Sequence, residues 1–231
     1  MRIPIFPRLV KLFDPLVCGQ NWPKMQEVLD DLTKIEDFFF VQIGANDGVI
    51  HDPLFHHIVN NQWSGILVEP VRYYFNRLKL NYAGSDQLIF ENVAISDRDE
   101  RREFYRLREG LEFLPQWTEG LGSFHLEVLM KHRWLIPNIK DYIISESVDC
   151  VSLQTLLNRN KVRKIDLVLI DTEGYDFEIL KQINFDYVDP SVIIYEHKHI
   201  SHKERRDSEA LLTARGYRLY QHFSNTMACS F

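Results

Sequence analysis

Phe38-Phe39-Phe40-Val41-Gln42-Ile43, followed at once by Gly44-Ala45-Asn46-Asp47-Gly48, decides how this chain is read. The first six residues form a nearly unbroken apolar run rich in β-favouring side chains, as in a strand buried on both faces. The abrupt change to Gly, Asn and Asp ends it in a turn. Gly44 and Gly48 predict backbone passing close to a ligand, while Asn46 and Asp47 tolerate unusual dihedrals and offer polar contacts. The stretch reads as a nucleotide-binding turn.

Outward from it, the chain alternates strands and helices. Upstream, Pro23 suits a first helical turn, and Met25, Val28, Leu29, Leu32 and Ile35 follow at helical spacing. Downstream come a helix after Asp52-Pro53, a strand from Gly65 to Glu69, a helix after Pro70 and a strand at Leu88-Ile89-Phe90. Strands alternating with helices imply a parallel sheet with right-handed crossovers, whose ligands lie beyond the carboxyl ends of the strands. From Arg101 to Cys150 the pattern loosens to a short strand at Glu103-Phe104-Tyr105 and aromatics mixed with Gly and Pro. Residues 108–145 therefore read as an insertion acting as a substrate lid, a satellite core, or both. Alternation returns with a helix at Ser152–Asn158, a strand at Ile165–Ile170 and a helix at Tyr175–Ile183. A strand at Val192–Tyr195 and a charged helix at Ser201–Ala214 follow, and Tyr217–His222 with Asn225–Ser230 make a closing hairpin. The expectation is one α/β domain over residues 1–231, with residues 1–37 as an N-terminal helical extension.

Composition narrows the class. With 231 residues, 45% hydrophobic and 26% charged, the chain suits one globular domain with a sizeable core. A formal net charge of −6 argues against general affinity for nucleic acid. Cys18, Cys150 and Cys229 form neither a disulfide framework nor a CxxC motif, which fits a reducing compartment. Prolines and Lys11 interrupt the apolar start, and no later run has bilayer length, so a cytoplasmic protein without a transmembrane segment is expected. A homo-oligomer is compatible with this composition.

Three constellations carry chemistry. Glu69 lies 21 residues beyond Gly48 at the next strand's end, where an acid accepts hydrogen bonds from both ribose hydroxyls. The dinucleotide pattern G-x-G-x-x-G is absent, because Gly44 to Gly48 is G-x-x-x-G; this disfavours NAD and leaves room for a cofactor with a ribose but no pyrophosphate. Asp171-Thr172-Glu173-Gly174 closes a later strand and faces the same site if that strand neighbours the first. Asp171 there serves as general base, orients a hydroxyl or ligates a divalent metal, against the alternative of capping the next helix. In Glu196-His197-Lys198-His199, His197 is a candidate base and Glu196 an orienting acid, while His199 reads as a solvated loop residue. The His-x-His pair lacks the helical spacing of zinc proteases, so no metal site is assigned; were a metal to take part, the acids would be favoured over the histidines.

Taken together and in order, Val41 to Gly48, Leu67-Val68-Glu69-Pro70, Asn92 to Asp97, Ser152 to Leu156, Ile170 to Asp176 and Ile194 to His197 resemble the FkbM-type S-adenosylmethionine-dependent methyltransferases. The resemblance implies a class I methyltransferase fold, a Rossmann-like, mainly parallel seven-stranded sheet whose C-terminal hairpin contributes one antiparallel strand. It implies S-adenosyl-L-methionine as cofactor, wrapped by Gly44, Ala45, Asn46, Asp47 and Gly48, with Glu69 on the ribose and Asn92 and Ala94 near the adenine. Asp171 and Glu173 would border the transferred methyl, and His197 would stand behind them. Gln42 departs from the family pattern, which often has an acid there; an amide keeps hydrogen bonding but loses the charge facing the cofactor's ammonium. The expected activity is O-methylation of a sugar, glycan or natural-product hydroxyl. An NAD-type oxidoreductase and a noncatalytic module of the same fold are the alternatives.

Overall fold

The computed structural model describes residues 24–230. Cys18, Pro23 and most of the expected N-terminal extension lie outside the described residues.

Strand β1 (Phe39–Ile43) sits near the middle of a seven-stranded sheet. Its neighbour on one side is β2 (Ser64–Val68), which pairs with β3 (Leu88–Glu91). On the other side lie β8 (Leu167–Ile170), then β9 (Val192–Glu196) and the hairpin of β10 (Arg218–His222) and β11 (Asn225–Cys229). The order is β10-β11-β9-β8-β1-β2-β3, with β11 antiparallel to both of its neighbours. This is the expected sheet, and it sets the acidic turn after β8 beside the glycine turn after β1.

The unbroken apolar run follows from having two buried faces. Val41 and Ile43 join Ile66, Val68, Val168 and Ile170 against helices α5 (Leu153–Arg159), α6 (Asp176–Leu180) and α7 (His202–Ala214). The alternate residues, Phe40, Leu67, Leu167 and Leu169, pack against α1 (Met25–Leu32), α2 (Phe55–Asn61) and α3 (Arg72–Asn81). Each fully buried Val, Leu, Ile or Phe contributes roughly 1.5–3 kcal/mol. Among the described residues no helix is long and apolar enough to cross a membrane.

The loosely patterned region is more regular than its sequence suggests. Strands β5 (Glu100–Leu107) and β7 (Ile143–Val151) pair antiparallel along their length, flanked by β6 (Gly122–Ser123) and by β4 (Ala94–Ile95), as a second, four-stranded sheet. Charge hid these strands, since Arg101 pairs with Asp149 at 3.1 Å and Arg106 with Glu146 at 2.8 Å across the ladder. Arg102 lies 4.0 Å over the Phe124 ring and donates to Tyr175 Oη at 3.2 Å, joining this sheet to the start of α6. Leu107, Leu121, Leu129, Ile136 and Ile139 give the insertion its own core around α4 (Leu126–Met130), whereas Phe113, Trp117 and Trp134 are exposed.

Gly44 has φ of 83° and meets the protein closely. A Cβ there would lie 1.8 Å from the Asp171 carbonyl oxygen, and one at Gly48 would meet Leu78 and Tyr82 at 2.5 Å. These glycines give clearance to neighbouring parts of the protein itself. Gly44→Ala is therefore expected to cost at least about 3 kcal/mol in urea denaturation. Gly84→Ala, at φ of 88° with open space around it, should cost about 1 kcal/mol. Equal losses would show that the Gly44–Asp171 approach is not a constraint.

Candidate active site

The carboxyl ends of β1, β2 and β8 open into two adjoining clefts of about 550 and 650 Å³, which share Gly44, Asn46, Gly120, Asp171 and Glu173. The first is mainly apolar, with Val71, Val93, Ala94, Ile95 and Phe124 around Glu69 and with Asp171 and Glu173 at the side it shares with the second. Gln42, Ala45, Asp52, Trp117 and Glu119 line the second.

Glu69 holds the turn in shape. Its two carboxylate oxygens accept from Asn46 N at 2.9 Å and Val71 N at 2.8 Å, and burial pushes its pKa up to about 7 against those hydrogen bonds. Asn46 adopts φ of 50°, and its buried Oδ1 has no partner. Gln42 Nε2 donates to Asp52 Oδ2 at 2.8 Å, leaving the buried Gln42 Oε1 without a partner. Asp52 Oδ1 also accepts from Leu54 N where α2 begins, and burial raises its pKa to about 6. The charge missing at Gln42 thus returns from a loop ten residues on.

The acidic turn is tied together by Asp176, a residue with no direct access to solvent. It accepts from Thr172 Oγ1 at 3.0 Å, Gly174 N at 3.2 Å and, from the adjacent strand, Glu196 N at 3.2 Å. Glu173 sits at φ of 52°, a strained setting for a residue with a side chain, and its Oε2 is 3.1 Å from His199 Nε2. Burial and then mutual repulsion raise the pKa values of Glu173, Asp176 and Glu196. Asp171 faces the cleft's water, but the protein around it also raises its pKa, with Lys198 opposing. Burial and the positive charge of Lys198 lower His199 to about 4.

Several expected residues point elsewhere. His197 Nδ1 pairs with Thr226 Oγ1 at 2.9 Å and its N–H donates to Ser224 O, so it faces the hairpin and lines neither cleft. Asp47 accepts from Val49 N and Ile50 N and pairs with Arg77 at 2.9 Å, away from the clefts. Asn92 donates to the carbonyls of Glu69 and Pro70, so only its neighbours Val93 and Ala94 reach the first cleft. His199, read as solvated, is buried beside Glu173 and Glu196.

Part of the insertion straps down over the turn. Asn46 Nδ2 donates to Glu119 O at 3.3 Å, Ser123 Oγ donates to Glu173 O at 2.7 Å, and Gly120 packs so closely on Asn46 that a Cβ would lie 2.2 Å from its side chain. Arg77 links Asp47 to Glu119. Asp52, Arg77 and Gly120 were beyond sequence reasoning, because each acquires its place from a partner on another segment. Arg77→Met removes the partner of the buried Asp47. It should cost about 1–2 kcal/mol, since Arg77 is a third exposed and partly screened, and should speed proteolysis between residues 108 and 122. Unchanged proteolysis would remove Arg77 as an anchor of the strap.

A sheet of this order, with one antiparallel strand and with a glycine turn and acids at its carboxyl edge, defines a class I methyltransferase fold. The profile of the methyltransferase FkbM domain matches residues 42–219, and the chain belongs to that family of S-adenosylmethionine-dependent methyltransferases. No curated protein sequence matches this chain significantly. Among solved structures, the N-terminal domain of human METTL16 in complex with SAH aligns with a TM-score of 0.45 and 12% identity, over 91% of this chain and 73% of that one. Ribosomal protein L11 methylase from Lactobacillus delbrueckii subsp. bulgaricus gives 0.42 and 9%, over 87% and 77%. The Methanococcus jannaschii fibrillarin pre-rRNA processing protein gives 0.42 and 12%, over 83% and 65%.

Proposed function

We propose that this methyltransferase moves the methyl group of S-adenosyl-L-methionine to a hydroxyl oxygen of a sugar, glycan or natural-product acceptor. The observation that carries this reading is the pair of clefts joined at Asn46 and Asp171, one mainly apolar around Glu69 and one polar with an orphaned amide oxygen. The cofactor fits these residues. Val71, Val93 and Ala94 would take the adenine, Glu69 the ribose hydroxyls, and Gln42 Oε1 with the Asp52 carboxylate the ammonium of the methionine end. The unpaired Asn46 Oδ1 offers a further acceptor beside the turn formed by Gly44 and Ala45. When bound, the cofactor supplies an electrophilic methyl carbon on its sulfonium.

Asp171, reachable from both clefts, is the residue we assign to orient the acceptor hydroxyl and take its proton, and Glu173 adds negative charge behind it. We assign the insertion at 108–145 to shaping the acceptor pocket, where the half-exposed Trp117 offers a face on which a sugar ring stacks. The net charge of −6 supports an acceptor other than nucleic acid, and the buried free thiols of Cys150 and Cys229 suit a cytoplasmic protein.

Calorimetry with S-adenosylhomocysteine tests the cofactor assignment. Glu69→Ala should weaken binding about 10–100-fold, and Asp52→Asn should weaken it in the same direction by less. Affinity should fall as pH drops from 8 to 6, because protonation of Glu69 near 7 removes an acceptor, and most of that dependence should vanish in Glu69→Ala. Asp171→Asn should lower turnover about 10²–10⁴-fold with cofactor affinity kept. Binding of NADH but not S-adenosylhomocysteine would overturn the reading.

A further inference from the structure

Glu173, assigned above to stand behind Asp171, also belongs to a buried cluster whose other members, Glu196 and His199, have no part in methyl transfer. Glu173 Oε2, Glu196 Oε2 and both ring nitrogens of His199 are buried without hydrogen-bond partners. Glu196 is 7% and His199 8% exposed, so little water reaches them to compensate. Buried carboxylate oxygens that face one another without a partner are costly, and such groups persist where a proton or a cation completes them. Lys198 is a cation whose charge favours ionisation of both acids, against their burial.

The geometry suits a cation. One ligand atom from each of the three residues lies within 4.8 Å of the other two. His199 Nε2 is 3.1 Å from Glu173 Oε2 and 3.9 Å from Glu196 Oε2. Ligands bonded at roughly 2.0–2.2 Å to one shared ion stand roughly 3–4 Å apart, so only small side-chain adjustments separate this cluster from a coordination shell. The backbone supporting it is already fixed. Asp176 holds Glu196 N and Gly174 N, Ser123 Oγ holds the Glu173 carbonyl, and Glu173 keeps its strained φ of 52°. Strain of this kind, held by hydrogen bonds on both sides, is characteristic of functional positions.

We propose that Glu173, Glu196 and His199 form a binding site for a divalent first-row transition ion, Mn²⁺ or Zn²⁺. The donor set selects the metal class. An imidazole nitrogen with two carboxylate oxygens suits Mn²⁺ and Zn²⁺, whereas Mg²⁺ and Ca²⁺ prefer oxygen alone, and no cysteine stands in the cluster to favour a softer ion. Glu173 also lines both clefts, so an ion here borders the space assigned to the acceptor. His132 of the insertion, its ring centroid 5.8 Å from that of His199 and its buried Nε2 also without a partner, stands next to the cluster. The site does not depend on the cofactor assignment, because none of its three residues is placed on the cofactor by that reading.

Calorimetry of the metal-stripped full-length chain with MnCl₂, ZnCl₂ and MgCl₂ tests this, with the electron paramagnetic resonance of Mn²⁺ as a second readout. One site per chain is expected, at least about tenfold tighter for Mn²⁺ or Zn²⁺ than for Mg²⁺. Glu196→Gln and His199→Ala should each weaken binding about 10–100-fold while S-adenosylhomocysteine affinity is retained. Glu196→Gln keeps the size and shape of a side chain on which burial and neighbouring acids already disfavour charge, and should remain folded. If His199→Ala does not fold, the melting temperature decides: Mn²⁺ or Zn²⁺ should raise it in the wild type and leave it unmoved in Glu196→Gln. No binding at millimolar metal would overturn the site, leaving a proton shared among the acids and His199. Affinity unchanged in Glu196→Gln would overturn it as well, placing the ion elsewhere.

Discussion

The approach of Gly44 to the Asp171 carbonyl is the contact on which the rest of this structure depends. Two parallel strands end side by side, and their following turns have to diverge within one residue of leaving the sheet. Only a residue without a side chain and with positive φ lets β1 do so against the end of β8. From that point Asn46 turns toward Glu69, just past the end of β2, and Asp171 opens toward the same space just past the end of β8. The two clefts and a set of acids thereby meet along one line of the sheet, with no long loop needed to bring them together.

The second organising fact is electrostatic. The carboxyl edge gathers Glu69, Asp171, Glu173, Asp176 and Glu196 in surroundings that disfavour charge on each. Asp176 answers its own burial with hydrogen bonds from Thr172, Gly174 and Glu196, and Glu69 does so with two backbone N–H groups. Glu173 and Glu196 have no such answer at their Oε2 atoms. Hydrogen-bond satisfaction therefore separates Asp176 and Glu69 from Glu173 and Glu196, which sequence position does not, since all four occupy strand ends or the turn and helix start that follow.

The central sheet was legible in the sequence because strands buried on both faces spell themselves out as apolar runs, and helices such as Ser201–Ala214 announce themselves by their caps. Ser201 accepts from Glu204 N and Glu204 returns the bond, and Ser152 caps α5 from its side chain. The second sheet was not legible, because β5 reads Glu-Arg-Arg-Glu before its apolar residues and gains its stability from charges on β7. The glycine turn was legible from its composition, whereas the neighbours that leave no room for a Cβ at Gly44 and Gly48 come from other segments. His197 and His199 could not be separated by inspection. Their burial depends on which neighbouring strand or turn receives each ring, and the hairpin takes the first while the acidic turn takes the second.

The strap over the turn grips it largely through main chain: the Glu119 carbonyl receives Asn46, Gly120 presses on it, and Ser123 reaches the carbonyl of Glu173 rather than its carboxylate. Contacts of that kind are blind to most side chains around them. Outward-facing positions of the insertion such as Phe113 and Trp134 are thus free to drift in sequence without loosening the floor beneath. Under the assignment proposed above, substitution in this cover alone would give a route to new acceptors, while Gly44, Glu69 and Gly120 stay under tight steric and hydrogen-bonding constraint.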